Sequence, residues 1–339
     1  MRLSRARSAT VIGVIWLVSG CASASLGPST PAAFQQQKPQ SPRVKTSCPC
    51  LYVANRGSNA ITVYPLGASV KKPPAQDVSG AATGLNAPTD VAVDPLGKIY
   101  VANRYGNSVT IYAAGSSGNV APIATIAGSN TGIVAPEGIA LNPLNGDIYV
   151  ANGYGAAYYG DITFYPPNAN GNVQPLGTIG GFATKLNLPW ELRLDSTANI
   201  YVPNNNGNRL TAYRAGSVGD VAPIEMIDGD KTGLEAPAAL AFDASSNIYA
   251  ANAVTPGAIT KYRAGSNGNV RPRLRIHGRK SKVDGAEGIA VDSSGKIYVS
   301  LLYNEILTFA AGAHGAAKPI AVRKGASSGL SYPQGITIR

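Results

Sequence analysis

This chain is short of acid. Its 339 residues hold 18 Asp and Glu against 29 Lys and Arg, and charged residues of both signs reach only 14%. An ordinary soluble domain carries about 25%. Only six of the acids are Glu, so long surface helices stabilised by Glu–Lys pairs are nearly excluded. His and Cys are scarcer still, with two and three copies, and no nucleophile–His–acid arrangement is visible. What is plentiful is turn material, 39 Gly and 24 Pro. Together these stay below the roughly 25–30% that marks low-complexity disorder. Hydrophobic residues make up 44% of the chain, enough to bury a sizeable core. That balance implies many short strands joined by many turns.

Residues 1–20 read as an address rather than as structure. Arg2, Arg5 and Arg7 form a positive n-region, and Ala9 to Val18 form an apolar stretch. The stretch is too short for a spanning helix, which needs about 20 residues. The following Val18-Ser19-Gly20-Cys21 resembles a bacterial lipobox, whose Cys becomes the lipidated first residue of the mature protein. The resemblance implies an exported protein held to a bacterial membrane by acyl chains on Cys21, each buried methylene adding about 0.8 kcal/mol. A plain secretory signal with an incidental Cys is the alternative. In a Gram-negative cell, Ala22 after the Cys implies the outer membrane, on its periplasmic or surface face. Residues 21–47 are rich in Pro, Ser and Gln and lack apolar periodicity, as a flexible tether would. Cys48 and Cys50 flank Pro49 at its end. In an oxidising compartment they could form a disulfide, within the pair or between chains, or stay as thiols.

From there the chain repeats itself. Ile/Leu-Tyr-Val/Ala begins at Leu51, Ile99, Ile148, Ile200, Ile248 and Ile297, at spacings of 48, 49, 52, 48 and 49 residues. Each copy holds a short apolar run such as Asp90-Val91-Ala92-Val93, a turn, the Ile-Tyr-Val strand and a Gly/Asn loop. A second alternating strand, a Gly-rich turn and an outer strand follow, and a loop then runs from Gly to a Pro eight residues on, as in Gly80–Pro88, with Ala286 in place of that Pro in the fifth copy. Four strands per unit with repeat lengths in the forties are the signature of an all-β fold, a β-propeller of six four-stranded blades spanning 48–339. The pattern resembles the NHL-repeat family over Leu51 to Arg339, except that the second strand ends in Asn where that family usually has Asp. Because the chain enters at a second strand and exits with Gly335-Ile336-Thr337-Ile338, the C-terminal strand is expected to complete the first blade. Such closure removes two open edges.

Most residues that look functional fit the repeat. Tyr52, Tyr100, Tyr149, Tyr201, Tyr249 and Tyr298 share one position, and Tyr64, Tyr112, Tyr165, Tyr213, Tyr262 and Phe309 another, which argues for packing between sheets. Asn55, Asn103, Asn152, Asn204 and Asn252 end the second strands, where Asn serves turns. Residues that break the repeat are better binding candidates, because loops on a rigid scaffold are where binding concentrates. One end of the propeller should gather Arg56, Arg104, Tyr105, Tyr154, Tyr158, Tyr159, Asn205, Asn206 and Tyr303 with Asp90, Glu137, Trp190, Glu191, Glu287 and Gln334. Three of the six Glu fall in that set.

That arrangement also resembles gluconolactonase-like propellers, in which a Glu opening an inner strand joins an Asn and an Asp around a divalent ion. The resemblance implies Glu137 and Glu287 as ligands of Ca²⁺ or Mg²⁺, though the matching Asn and Asp have no unique counterpart here. Arg271, Arg273, Arg275, Arg279, Lys280 and Lys282 form a run that no acid interrupts between Asp243 and Asp284. Outside the cytosol such a run suits anionic lipid or envelope polymer rather than nucleic acid; edge protection of an outer strand is the alternative. The expectation is a lipid-anchored propeller at the cell envelope that binds a ligand, a protein or a glycan. A metal-dependent lactonase or hydrolase and a purely structural envelope protein are the alternatives.

Overall fold

The computed structural model describes residues 49–154 and 159–339. The leader, Cys21, the tether, Cys48 and Tyr158 lie outside the described residues. Six four-stranded antiparallel sheets make up the described chain. Blade 1 joins Pro333–Ile338 to Cys50–Asn55, Ala60–Pro65 and Gln76–Ser79. Its C-terminal strand pairs Leu51 with Ile338 and Val53 with Ile336, which is the expected closure. Blade 2 runs Pro88–Val93, Ile99–Asn103, Ser108–Tyr112 and Ala124–Ala127. Blade 3 runs Pro136–Leu141, Ile148–Asn152, Asp161–Tyr165 and Gly177–Ile179. Blade 4 runs Arg193–Leu194, Ile200–Asn204, Arg209–Tyr213 and Glu225–Ile227. Blade 5 runs Pro237–Phe242, Ile248–Asn252, Ala258–Tyr262 and Leu274–His277. Blade 6 runs Ala286–Val291, Ile297–Leu301, Glu305–Phe309 and Ala321–Arg323.

The period-2 patterning explains these sheets, but both faces of most strands are buried because every sheet is covered by a neighbour. Six apolar clusters result, each shared by two adjacent blades. Between blades 1 and 2, for example, Ala54, Ile61 and Val78 pack with Val91, Val101 and Tyr112. Outer edges are tied as well. Val78, Ile126, Ile179, Ile227 and Ile276 each bridge to a Gly in the outer turn of the following blade. At the seam between blades 6 and 1, Arg323 does that work. Its guanidinium lies 4.1 Å from the Tyr64 ring centre and donates to the carbonyls of Val70 and Lys72 at 3.2 and 2.7 Å.

The repeated Tyr and Asn are fasteners. The hydroxyls of Tyr112, Tyr165, Tyr213 and Tyr262 donate to the carbonyls of Thr83, Thr131, Thr184 and Thr232 at 2.5–2.7 Å, and Tyr64 donates likewise to Ser328. Each bond joins a blade's third strand to the loop that feeds the same blade. In Asn55, Asn103, Asn152, Asn204 and Asn252 the carbonyl accepts a loop N–H, and the amide donates to a Thr hydroxyl on the third strand. No Asn of this row has its side chain free for a ligand.

Candidate functional site

First strands line the centre of the ring, and those of consecutive blades touch from blade 5 through blades 6, 1, 2 and 3 to blade 4. In every blade, one extra residue is inserted where the first strand starts. The ladder skips from Pro88 to Asp90, Pro136 to Gly138, Pro237 to Ala239 and Ala286 to Gly288 against single steps on the second strands. Blade 1 does the same between Val53 and Asn55, and blade 4 between Pro189 and Arg193. Bulges of this kind re-aim side chains. Here they present two consecutive positions to the channel mouth. The earlier position carries Thr89, Glu137, Trp190, Ala238, Glu287 and Gln334; the later one carries Asp90, Gly138, Glu191, Ala239, Gly288 and Gly335.

The later position is a seal. Asp90 Oδ2 accepts from the Ile139 N–H of blade 3 at 3.0 Å, and Glu191 Oε2 accepts from the Leu240 N–H of blade 5 at 2.6 Å. Arg193 crosses between them. Its Nη1 lies 3.0 Å from Asp90 Oδ2, its Nη2 pairs with Glu191 Oε1, and Nη2 also donates to the Ile336 carbonyl of blade 1 at 3.2 Å. One guanidinium thus ties blades 1, 2 and 4 across the channel. Burial works to lower the Arg193 pKa, and the two carboxylates more than reverse it, so its charge is secure. Burial also holds the Glu191 carboxyl well above the usual range, with Arg193 opposing and Asp90 reinforcing. Blade 5 has only the small Ala239 there, and at the three Gly places the strands approach too closely for a side chain. A Cβ at Gly138 would sit 2.6 Å from Glu191 Cα.

Asp90 and Glu191, expected as ligand contacts, are therefore engaged by backbone and by Arg193. Arg193 itself was not singled out in the sequence. The signal was there: the same position holds Ala92, Ala140, Ala241, Ala290 and Thr337 in the other blades.

Above the seal lies a shallow polar hollow too tight to admit a water molecule, lined by Glu137, Trp190, Glu287 and Gln334 along with Thr89, Asp90, Glu191 and Gly335. Arg104 Nη1 stands 2.7 Å from Glu137 Oε1. Glu137 Oε2, Glu287 Oε2 and Gln334 Oε1 have no hydrogen-bond partner. Burial pushes the Glu137 carboxyl up to about 7, with Arg104 and Arg56 opposing and Glu287 adding to the rise. Glu287 is likewise pushed up by burial to about 7, opposed by Arg56. Among the described residues, no cluster of three or more His, Cys, Asp or Glu side chains is placed to hold a metal ion.

Around this hollow the loops supply aromatic and guanidinium groups. Arg56 lies 5.2 and 5.6 Å from the ring centres of Tyr105 and Tyr332 and donates to the Tyr105 hydroxyl at 2.9 Å. Arg104 lies 5.8 Å from the Tyr154 ring centre. Tyr105, Tyr154, Tyr159, Tyr303 and Tyr332 all stand exposed, at 38–66%. Tyr332 is a further residue that the sequence reading passed over, although it stands just before the first strand where other blades have Ala, Leu or Gly.

The basic run is placed as the repeat suggests. Arg271, Arg273, Arg275, Arg279, Lys280 and Lys282 are all exposed, on and beside the outermost strand of blade 5. Among the described residues, the ion pairs include none of the six. His277 lies in that outer strand and His314 in an outer turn, both away from the mouth.

Comparison with known proteins agrees with this fold. The family model described as NHL repeat matches residues 85–112, the first three strands of blade 2. A protein of unknown function from Bacteroides caccae superposes with a TM-score of 0.61 at 11% identity, covering 86% of this chain and 99% of that one. A functionally unknown protein from Desulfotomaculum acetoxidans gives a TM-score of 0.53 at 10% identity, covering 76% of this chain and 74% of that one. No curated protein matches the sequence.

Proposed function

We propose that this chain is an exported, lipid-anchored propeller that binds a protein partner at the cell envelope through the face around the channel mouth. The observation that carries this reading is the composition of that face. Exposed Tyr105, Tyr154 and Tyr332 stand beside Arg56 and Arg104, with exposed Tyr303 and the half-buried Trp190 on loops of the same face. Tyr, Trp and Arg are the residues enriched in protein interfaces and in their energetic centres. Several are already ordered by stacking, which lowers the entropy lost on binding. The hollow is small beside the roughly 300–1,000 Å³ of small-molecule sites, and its deeper carboxylates are tied to Arg193, both of which favour binding over metal-dependent hydrolysis. Anchoring rests on the lipobox resemblance at Cys21, and incorporation of a palmitate analogue that Cys21→Ala abolishes is its test. The binding experiment compares immobilised wild type with the Tyr105→Ala/Tyr303→Ala double variant against solubilised envelope proteins. A protein retained by wild type and by Leu96→Ala/Leu144→Ala, but lost from the Tyr variant, supports the reading. Equal retention by all three refutes it.

A second surface supports contact with anionic envelope material. The cations at Arg271, Arg273, Arg275, Arg279, Lys280 and Lys282 are exposed without ion-pair partners among the described residues, a field that attracts anions and weakens as salt rises. Binding to anionic liposomes that is indifferent to salt would rule this out.

A further inference from the structure

Departures from the repeat gather a second time, on the mouth side of the junction between blades 3 and 4. Phe182 is 79% exposed where the other blades carry Ala81, Ser129, Asp230, Arg279 and Ala326. Three residues on, Lys185 sits at φ 61, a left-handed conformation that L side chains rarely adopt. Gly84, Gly132, Gly233 and Gly329 hold that place in four other blades, and Lys282 in blade 5. Arg209 opens the third strand of blade 4, where no other blade has a cation. The loop after the second strand is longer in blade 3, residues 153–160 against 104–107 in blade 2, and brings in Tyr159. The blade pattern needs none of these side chains, yet Tyr159, Phe182, Lys185 and Arg209 line one open hollow of about 220 Å³ together with Asn187.

Their surroundings leave the two charges accessible. The Tyr159 carbonyl accepts from the Leu188 N–H at 2.9 Å, which pins that residue beside the hollow. Lys185 Nζ stands 4.7 Å from the centre of the Phe182 ring and has no carboxylate partner among the described residues. Arg209 Nε donates to the Gly207 carbonyl at 3.1 Å, and Nη1 reaches Asp228 only at 3.9 Å. Asp220, the other acid nearby, accepts from the Ala183 and Thr184 N–H groups at 2.6 and 3.3 Å. Neither acid lines the hollow.

That set of groups defines a ligand. Lys185 and Arg209 ask for an anion. Aromatic faces carry negative charge on a flat apolar surface, which suits the C–H face of a sugar ring. The Tyr159 hydroxyl and the Asn187 amide both donate and accept, as ring hydroxyls require. The hollow is smaller than the roughly 300–1,000 Å³ of sites that enclose a drug-sized molecule, so it takes one ring and leaves the neighbouring rings of a chain outside. We infer that it binds a uronic-acid residue of an acidic polysaccharide, the carboxylate between Lys185 and Arg209 and the ring against Phe182 and Tyr159. This site is separate from protein binding at the channel mouth and uses none of the residues that carry that reading.

The test is calorimetric titration of the whole chain with tetragalacturonate at pH 7 and low salt. The fully methyl-esterified tetramer, which keeps the rings and loses the charge, and tetra-aspartate, which keeps the carboxylates and lacks rings, run in parallel. Tetragalacturonate should bind, and both controls should bind more weakly by about tenfold or more, since each lacks the charge-assisted or the aromatic half of the contact. Phe182→Ala, Lys185→Gly and Arg209→Ala each install a residue that another blade already carries at that place, so the fold is kept. Each should weaken tetragalacturonate by about tenfold with no fall in melting point. No binding of tetragalacturonate, equal binding of either control, or undiminished binding by the three variants combined overturns the inference. Binding that survives in those variants and is lost on Arg273→Gln/Arg275→Gln overturns it too, because the sugar acid then lies on the basic strand of blade 5.

Discussion

Replacing Glu287 by Gln should stabilise the protein at alkaline pH and leave it unchanged in acid. Glu287 is buried, and its carboxyl titrates at about 7 in the fold against 4.5 when exposed. A raised carboxyl pKa means that the folded state holds the proton more tightly. Its favourable contribution is complete below pH 4.5 and disappears as pH rises through 7. The gap between those two values corresponds to at most about 3 kcal/mol, at 1.36 kcal/mol per unit. Gln keeps the shape and cannot ionise. For a chain of this size about 3 kcal/mol moves the melting point by about 6 °C. Differential scanning calorimetry of wild type and Glu287→Gln between pH 4 and 9 reads the effect directly. The two curves should coincide near pH 4 and separate between pH 5 and 7, with the variant melting higher at pH 8. A separation that is constant across pH would refute the argument, because it would show that Glu287 does not titrate differently in the two states.

The seal makes a larger claim. Arg193→Ala leaves Asp90 and Glu191 buried without their cation and should cost about 3–5 kcal/mol in urea unfolding; a loss below about 1 kcal/mol would mean that Arg193 is peripheral. Deleting residues 333–339 removes the first strand of blade 1 and reopens the ring, so the truncated chain should melt far below wild type or aggregate. An unchanged melting point would rule out closure by the C-terminal strand. Tyr213→Phe removes the hydroxyl that holds the Thr184 carbonyl at 2.6 Å and should cost about 1 kcal/mol. Phe309, at the equivalent place in blade 6, already lacks that hydroxyl, so the substitution is compatible with folding, and no measurable cost would demote the Tyr row to simple packing.

Why the fold was legible and the mouth only half so is a matter of range. The spacing of Ile-Tyr-Val copies fixes blade number, strand order and the shared first blade, because each is a local pattern repeated. The Tyr and Asn rows were also readable, since their partners lie in loops of the same repeat. Asp90 and Glu191 could not be sorted from Glu287 in this way. They differ in what reaches them from other blades, the Ile139 and Leu240 N–H groups and the Arg193 side chain. Glu137 and Glu287, both followed by Gly and an aliphatic residue, look alike in sequence, yet Arg104 pairs with Glu137 and not with Glu287. Tyr332 depends on stacking with Arg56, a residue at the other end of the chain. Contacts of this range need the closed ring before they exist.

The central claim is that binding takes place at the mouth face, and site-specific photo-crosslinking in cells tests it most directly. A photoreactive residue would be placed singly at Tyr105, Tyr303 and Tyr332 on that face, and at Leu96 and Leu144, exposed at 76% and 70% in turns at the opposite end of the blades. Adducts of one common mass from the three mouth positions, and none of that mass from the two Leu positions, are the predicted result. Adducts from Leu96 and Leu144 with none from the mouth would contradict it.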